Sequence, residues 1–153
     1  MAQLAEADGT HTMLEACEEA GLSYQTLKYY CNEGLVPGVR RDARNRRVFD
    51  SRTLAWVKDL ACLKRCGFSI AEMKDYLALC LGGERTIPAR KAMLDVKRAE
   101  LVARVAEIEG SIDYIDWKQG FYDDVLSGCT PYISNFLLNE ADAESAEESS
   151  AHG

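Results

Sequence analysis

SYQTLKYYCNEGLVPGVRRDARNRRVF, residues 23–49, is the stretch on which the fold turns. It starts as a short helix, breaks at Asn32-Glu33-Gly34 and passes Pro37-Gly38. It then sets Arg40, Arg41, Arg44, Arg46 and Arg47 within eight positions before closing on the β-formers Val48 and Phe49. A short helix followed by a cationic hairpin suits a surface that lays the helix in one DNA groove and presses the hairpin on the neighbouring phosphates. Guanidiniums grip phosphate oxygens bidentately and displace condensed counterions as they bind.

Upstream of that stretch, Met13, Ala16, Cys17 and Ala20 recur at helical spacing with Glu15, Glu18 and Glu19 on the other side. This predicts a short amphipathic helix, ended by Gly21. Ser23 is a good N-cap for the next helix, so only a tight Gly-Leu turn joins the two, as in a helix-turn-helix. On the second helix Leu27, Tyr30 and Cys31 share one side, leaving Tyr24, Gln25, Lys28, Tyr29 and Asn32 outward. Recognition helices read base edges mainly with their N-terminal residues, here Tyr24 and Gln25, whereas Lys28 and Tyr29 suit phosphates.

Downstream, Asp50 is placed to cap a third helix whose Leu54, Trp56, Val57, Leu60, Ala61 and Leu63 cover enough of its circumference to demand packing on more than one side. Gly67 ends it. Ser69-Ile70-Ala71-Glu72 spells a capping box that opens a fourth helix with its apolar stripe at Ile70, Met73, Leu77 and Cys80 or Leu81. Gly82-Gly83 makes a hinge, and Thr86 with Pro88 starts a long helix over 84–119. Here the period changes. Ile87, Leu94, Leu101, Ile108 and Ile115 repeat at seven, joined by Val105 and Ile112 in the later heptads, which predicts a coiled-coil seam of roughly 50 Å. One apolar seam with no second segment to cover it predicts a homodimer, weaker near the start where Lys91 and Arg98 take the companion positions.

Residues 120–138 carry Phe121, Tyr122, Tyr132 and Phe136 among Gly128 and Pro131, and read as a short C-terminal cap or effector segment. Residues 1–10 read as a flexible arm, and 139–153, with five acidic residues and almost no apolar ones, as a disordered acidic tail. The net charge of −7 looks wrong for a nucleic-acid binder until it is divided: residues 23–52 hold seven basic and three acidic residues. No basic-then-apolar leader and no membrane-length apolar run is present, so a cytoplasmic protein with its six cysteines as thiols is expected. No C-x-x-C pair, nucleophile motif, phosphate loop or paired catalytic carboxylate occurs, and His11 and His152 lie near the ends. Neither an enzyme, a cofactor nor a resident metal is expected.

Several linked motifs now resemble a known family. Gly21-Leu22-Ser23, Thr26-Leu27-Lys28-Tyr29-Tyr30, Glu33-Gly34-Leu35-Val36-Pro37, Asn45-Arg46-Arg47-Val48-Phe49-Asp50 and Gly67-Phe68-Ser69 resemble, in that order and spacing, the winged helix-turn-helix of MerR-type transcription regulators, over residues 11–81. GERTIPARKAML and DWKQGFYDDVLSG resemble the dimerisation helix and short C-terminal segment of small members. The resemblance implies an all-α fold with a small two-stranded β-wing, followed by an antiparallel coiled-coil dimerisation helix. It further implies a homodimer on double-stranded promoter DNA that distorts an over-long spacer so that RNA polymerase engages both promoter elements, in response to an effector. Specificity would then rest partly on DNA deformability. Two positions depart from the pattern. Arg46-Arg47 stands where family wings commonly carry Tyr-Arg, and Lys28 stands where Arg is usual, which keeps the charge but loses the fork.

The effector is read less directly. The short C-terminal segment points to a small organic molecule or an electrophile, with Trp117, Phe121 and Tyr122 as a cap on the coiled coil or a small apolar pocket. Metal-sensing relatives surround a soft cation with one cysteine before the dimerisation helix and a pair after it. Here Cys80 and Cys129 stand at such places but the second distal cysteine is missing, so thiol or metal sensing is the alternative. The other alternative is a coiled-coil adaptor without specific DNA binding.

Overall fold

Two short hydrogen bonds start the first helix of the computed structural model, which describes residues 9–133. The Thr12 hydroxyl accepts the Glu15 N–H at 3.2 Å, and the Glu15 carboxylate accepts the Thr12 N–H at 2.7 Å. That capping box opens α1 (Met13–Ala20), whose Met13, Ala16, Cys17 and Ala20 are buried. Gly21 then turns the chain at φ +67°, a left-handed conformation that costs glycine little. Ser23 caps α2 (Tyr24–Asn32) by accepting the Thr26 N–H at 3.1 Å.

After α2 the chain forms β2 (Arg40–Arg41) and β3 (Arg47–Phe49), an antiparallel pair with Arg41 opposite Arg47. The sequence reading gave the wing two strands; the sheet has three. A strand β1 (His11–Thr12) pairs antiparallel with β3, setting His11 opposite Phe49, so the order is β1-β3-β2. A two-residue strand is too short to show alternation, and its partner lies far along the chain, so the sequence carried no signal for it. This strand ties the start of the helix-turn-helix to the wing.

Asp50 leaves β3 directly into α3 (Ser51–Arg65) by accepting the Thr53 N–H at 2.8 Å. Ser69 and Glu72 close the expected capping box on α4 (Ile70–Leu81). The core is formed by α1, α2, α3 and the sheet: Ala16, Leu27, Leu35, Phe49, Val57 and Leu60 are shut off from solvent, and Phe68 and Met73 extend it under α4. Trp56 packs against it half-buried, its indole N–H donating to the Leu35 carbonyl at 2.6 Å. Gly38 is there for closeness, because a Cβ would collide with the Thr53 side chain, and Thr53 is buried.

A 3₁₀ turn (Glu84–Thr86) leads into α5 (Ile87–Leu126), 40 residues long. The helix therefore continues beyond the end expected at residue 119, and the first residues of the expected C-terminal cap are helical. Gly120 is tolerated inside it, and the chain leaves the helix only near Gly128, at φ +79°. Trp117 and Phe121, four apart, stack at 6.3 Å and 18°, as neighbours on one face of a continuous helix. The chain divides into two compact units inside α5, between Ala103 and Arg104. No helix among the described residues is long and apolar enough to cross a membrane. The expected acidic tail at 139–153, most of the arm at 1–10 and residues 134–138 of the cap lie outside the described residues.

Candidate nucleic-acid interface

The helix α2 has one face in the core and one in solvent. Leu27 and Tyr30 are buried, whereas Gln25 and Lys28 are exposed and Tyr24 and Tyr29 about half so. Four of the five outward residues named from the sequence thus share the free face; the fifth, Asn32, is also exposed but is engaged by the wing.

The wing's tip is shaped by one aspartate. Asp42 donates its N–H to the Arg46 carbonyl at 2.9 Å and accepts the Asn45 N–H on its own carbonyl at 2.9 Å. Asn45 sits at φ +62°, which gives a three-residue hairpin loop with a left-handed last residue. One Asp42 carboxylate oxygen accepts the N–H groups of Arg44 and Arg46, both at 2.9 Å, and the other takes the Arg46 Nε–H at 3.0 Å. These donors, the Arg46 backbone N–H foremost, hold its carboxyl below the usual range. An acidic residue amid five arginines is therefore what fixes their loop.

The arginines are less free than a bare run implies. Arg40 pairs with Asp50 at 3.2 Å, Arg46 with Asp42 at 2.9 Å, and Arg41 donates to the Asn45 carbonyl at 2.7 Å. Arg47 is half-buried and donates to Asn32 Oδ1 at 2.6 Å, which ties the wing to the last residue of α2. Arg44, at the loop's outer corner, is the one wing arginine with no side-chain partner among the described residues. The partnered guanidiniums are aimed rather than lost, since each retains donors beyond those in use.

Between α2's first residue and the wing runs a groove of about 440 Å³, lined by Tyr24, Arg41, Asn45, Arg46 and Arg47 on one part and by Thr12, Met13 and Leu14 on another. Leu14 is exposed there. Sequence reasoning missed Leu14, Asp42 and the Asn32 anchor. Only Asp42 left a trace, as an Asp opening a turn.

The remaining candidates are on or next to α4 and α5. On α5, Ile87, Leu94, Val105, Ile108, Ile112 and Ile115 are between 39% and 56% exposed, and Leu101 is half-buried. Trp117, Phe121 and Tyr122 run along the same helix, with Lys118 5.2–5.7 Å from the three ring centres. Cys80 is half-buried with the Arg90 guanidinium 4.0 Å from its sulfur, and Cys129 is exposed. Burial pushes the Cys17 and Cys31 thiols up, in keeping with apolar filling. No group of three or more His, Cys, Asp or Glu among the described residues is placed to hold a metal ion.

The sequence and the fold have known relatives. A family model for the MerR HTH family regulatory protein matches residues 12–80, and one for MerR DNA binding matches 54–117. An HTH-type transcriptional regulator of Haemophilus influenzae is 33% identical over 113 residues, covering 74% of this chain and 84% of that protein. The chain belongs to the MerR family. Among solved MerR structures, HiNmlR, a regulator lacking the sensor domain and bound to promoter DNA, superposes with a TM-score of 0.70 at 30% identity. That match covers 80% of this chain and 92% of HiNmlR. A MerR family regulator from Listeria monocytogenes gives a TM-score of 0.66 at 30% identity, over 94% and 99% of the two chains. This MerR protein is accordingly a DNA-binding transcription regulator, and its relatives are regulators rather than enzymes.

Proposed function

We propose that this MerR regulator acts as a homodimer that grips two half-sites flanking a promoter spacer and activates transcription by distorting that spacer when an effector binds. The observation that carries the dimer is the seam on α5. A row of isoleucine, leucine and valine at heptad spacing stands in solvent in the single chain, and a second copy of the same helix would cover it. Each protomer would then present α2 and a wing. Tyr24 and Gln25 would meet base edges, Lys28 and Tyr29 the adjoining phosphates, and Arg40, Arg41, Arg44, Arg46 and Arg47 the phosphates beyond. RNA polymerase would read the altered spacer.

Arg44 offers the cleanest test. Its guanidinium has no partner to lose among the described residues, so Arg44→Ala removes one cation without loosening the loop. With duplexes enriched from a random pool by the wild-type protein, affinity should fall about equally for all of them. The slope of log K against log salt should shrink by about 0.9 per half-site contacted. An unchanged slope would remove Arg44 from the interface. Arg46→Ala should cost more, because Asp42 then loses its clamp as well.

For the effector, the reading is a carbon electrophile that meets the Cys80 thiol, beside which the Arg90 guanidinium stands 4.0 Å from the sulfur. Transcription in vitro from a regulated promoter, with and without an α,β-unsaturated aldehyde, should rise for the wild type and stay flat for Cys80→Ser. Equal induction of both would move the effector away from that thiol.

A further inference from the structure

Of the 40 residues in α5, one is buried, and it is a lysine. Lys97 is 8% exposed, and its Nζ lies 2.9 Å from Glu72 and 3.2 Å from Glu100. The same Nζ sits 5.6 Å from the centre of the Phe68 ring, within cation–π range. Phe68 is itself buried, edge-on to Tyr76 at 5.8 Å. Glu72 has two tasks, since one carboxylate oxygen takes Lys97 and the other accepts the Ser69 N–H that starts α4.

Burying an ammonium carries a desolvation cost that a methionine at the same place would avoid, so stability alone does not call for a lysine. What a charge adds is direction. An apolar side chain tolerates sliding by an ångström, whereas an ammonium held between a carboxylate and a ring face has one good position. The start of α5 is held in the same manner: Arg90 donates to the Gly83 carbonyl at 2.9 Å and to Thr86 Oγ1 at 3.1 Å.

We infer that Lys97 is a positioning residue for DNA recognition: by latching α5 to Glu72 and Phe68 it fixes the direction in which the dimerisation helix leaves the winged domain, and so the half-site spacing the dimer accepts. The Glu72 carboxyl, held down first by the Ser69 N–H and then by Lys97, stays ionised to below the usual carboxylate range, and the Lys97 ammonium is held above its ordinary value chiefly by Glu72. The latch is therefore charged on both sides at neutral pH. It rests on the dimeric, two-half-site reading above.

The test uses the full chain and a set of duplexes carrying two copies of the enriched half-site at centre-to-centre spacings stepped by one base pair. Lys97→Met keeps the length and apolar stem of the side chain. It should keep affinity at the best spacing within about 3-fold, while the preference for that spacing over its neighbours falls by at least about 5-fold. Glu72→Gln, which keeps the cap acceptor, should flatten the profile in the same way and remain informative if Lys97→Met fails to fold. The double variant should be no flatter than either single one, since both remove one interaction. Variants as selective as the wild type would overturn the latch. A wild type that binds a lone half-site as well as a spaced pair would instead overturn the dimeric reading.

Discussion

Glutamate at both Ile108 and Ile112 will leave a folded monomer that has lost its tight DNA binding. Both side chains are at least half exposed in the single chain, so their replacement costs the protomer's own core little. In the proposed dimer, four such side chains are covered, each contributing about 1.5–3 kcal/mol, and four carboxylates would have to be desolvated in their place. The dimer dissociation constant should rise by at least about 1000-fold. Each half-site would then be bound without the effective concentration a tethered partner supplies, so affinity for a two-half-site duplex should fall by roughly 100-fold or more. Sedimentation velocity reads the first effect and a filter-binding titration the second. A variant that still sediments as a dimer would place the interface elsewhere.

Phe49→Ala should be the most damaging single change to the winged domain. Phe49 ends β3, opposite His11 of β1, and is wholly buried among α1, α3 and the sheet one residue before the Asp50 cap. Truncation leaves a cavity that cannot collapse, since the strand is paired on both sides and the chain is fixed at once into α3. The expected loss is about 3–5 kcal/mol. For a domain of this size each kcal/mol lowers the melting temperature by roughly 4–8 °C. Denaturant unfolding followed by Trp56 fluorescence measures it; a loss below about 1 kcal/mol would mean that the site repacks or that Phe49 is not central. Because Phe49 closes the hairpin that carries the arginines, DNA affinity should fall even where the variant remains mostly folded.

The two experiments probe features of different legibility. Ser23, Asp50 and Ser69 announced three helix starts, because an N-cap acts on backbone N–H groups two or three residues away and needs nothing distant. The heptad row on α5 was equally plain, because its period belongs to the helix alone. Tyr30 could be told from Tyr29 by the same logic, one on the Leu27 face and the other off it. The MerR resemblance added the promoter spacer and the expectation that it is distorted.

Local pattern and spacing thus determined the helices, the cationic hairpin and the core-facing residues, and the motifs they carry resemble one family. Tertiary structure alone decided that His11–Thr12 completes the sheet, that Arg47 is held by Asn32 and Arg40 by Asp50, and that Lys97 is the buried residue of α5. Each of these joins groups separated by more residues than a helical turn or a tight hairpin spans. A one-dimensional pattern cannot carry such a pairing, because distance in space between remote residues is set by how the elements pack and not by the spacing of residue types along the chain.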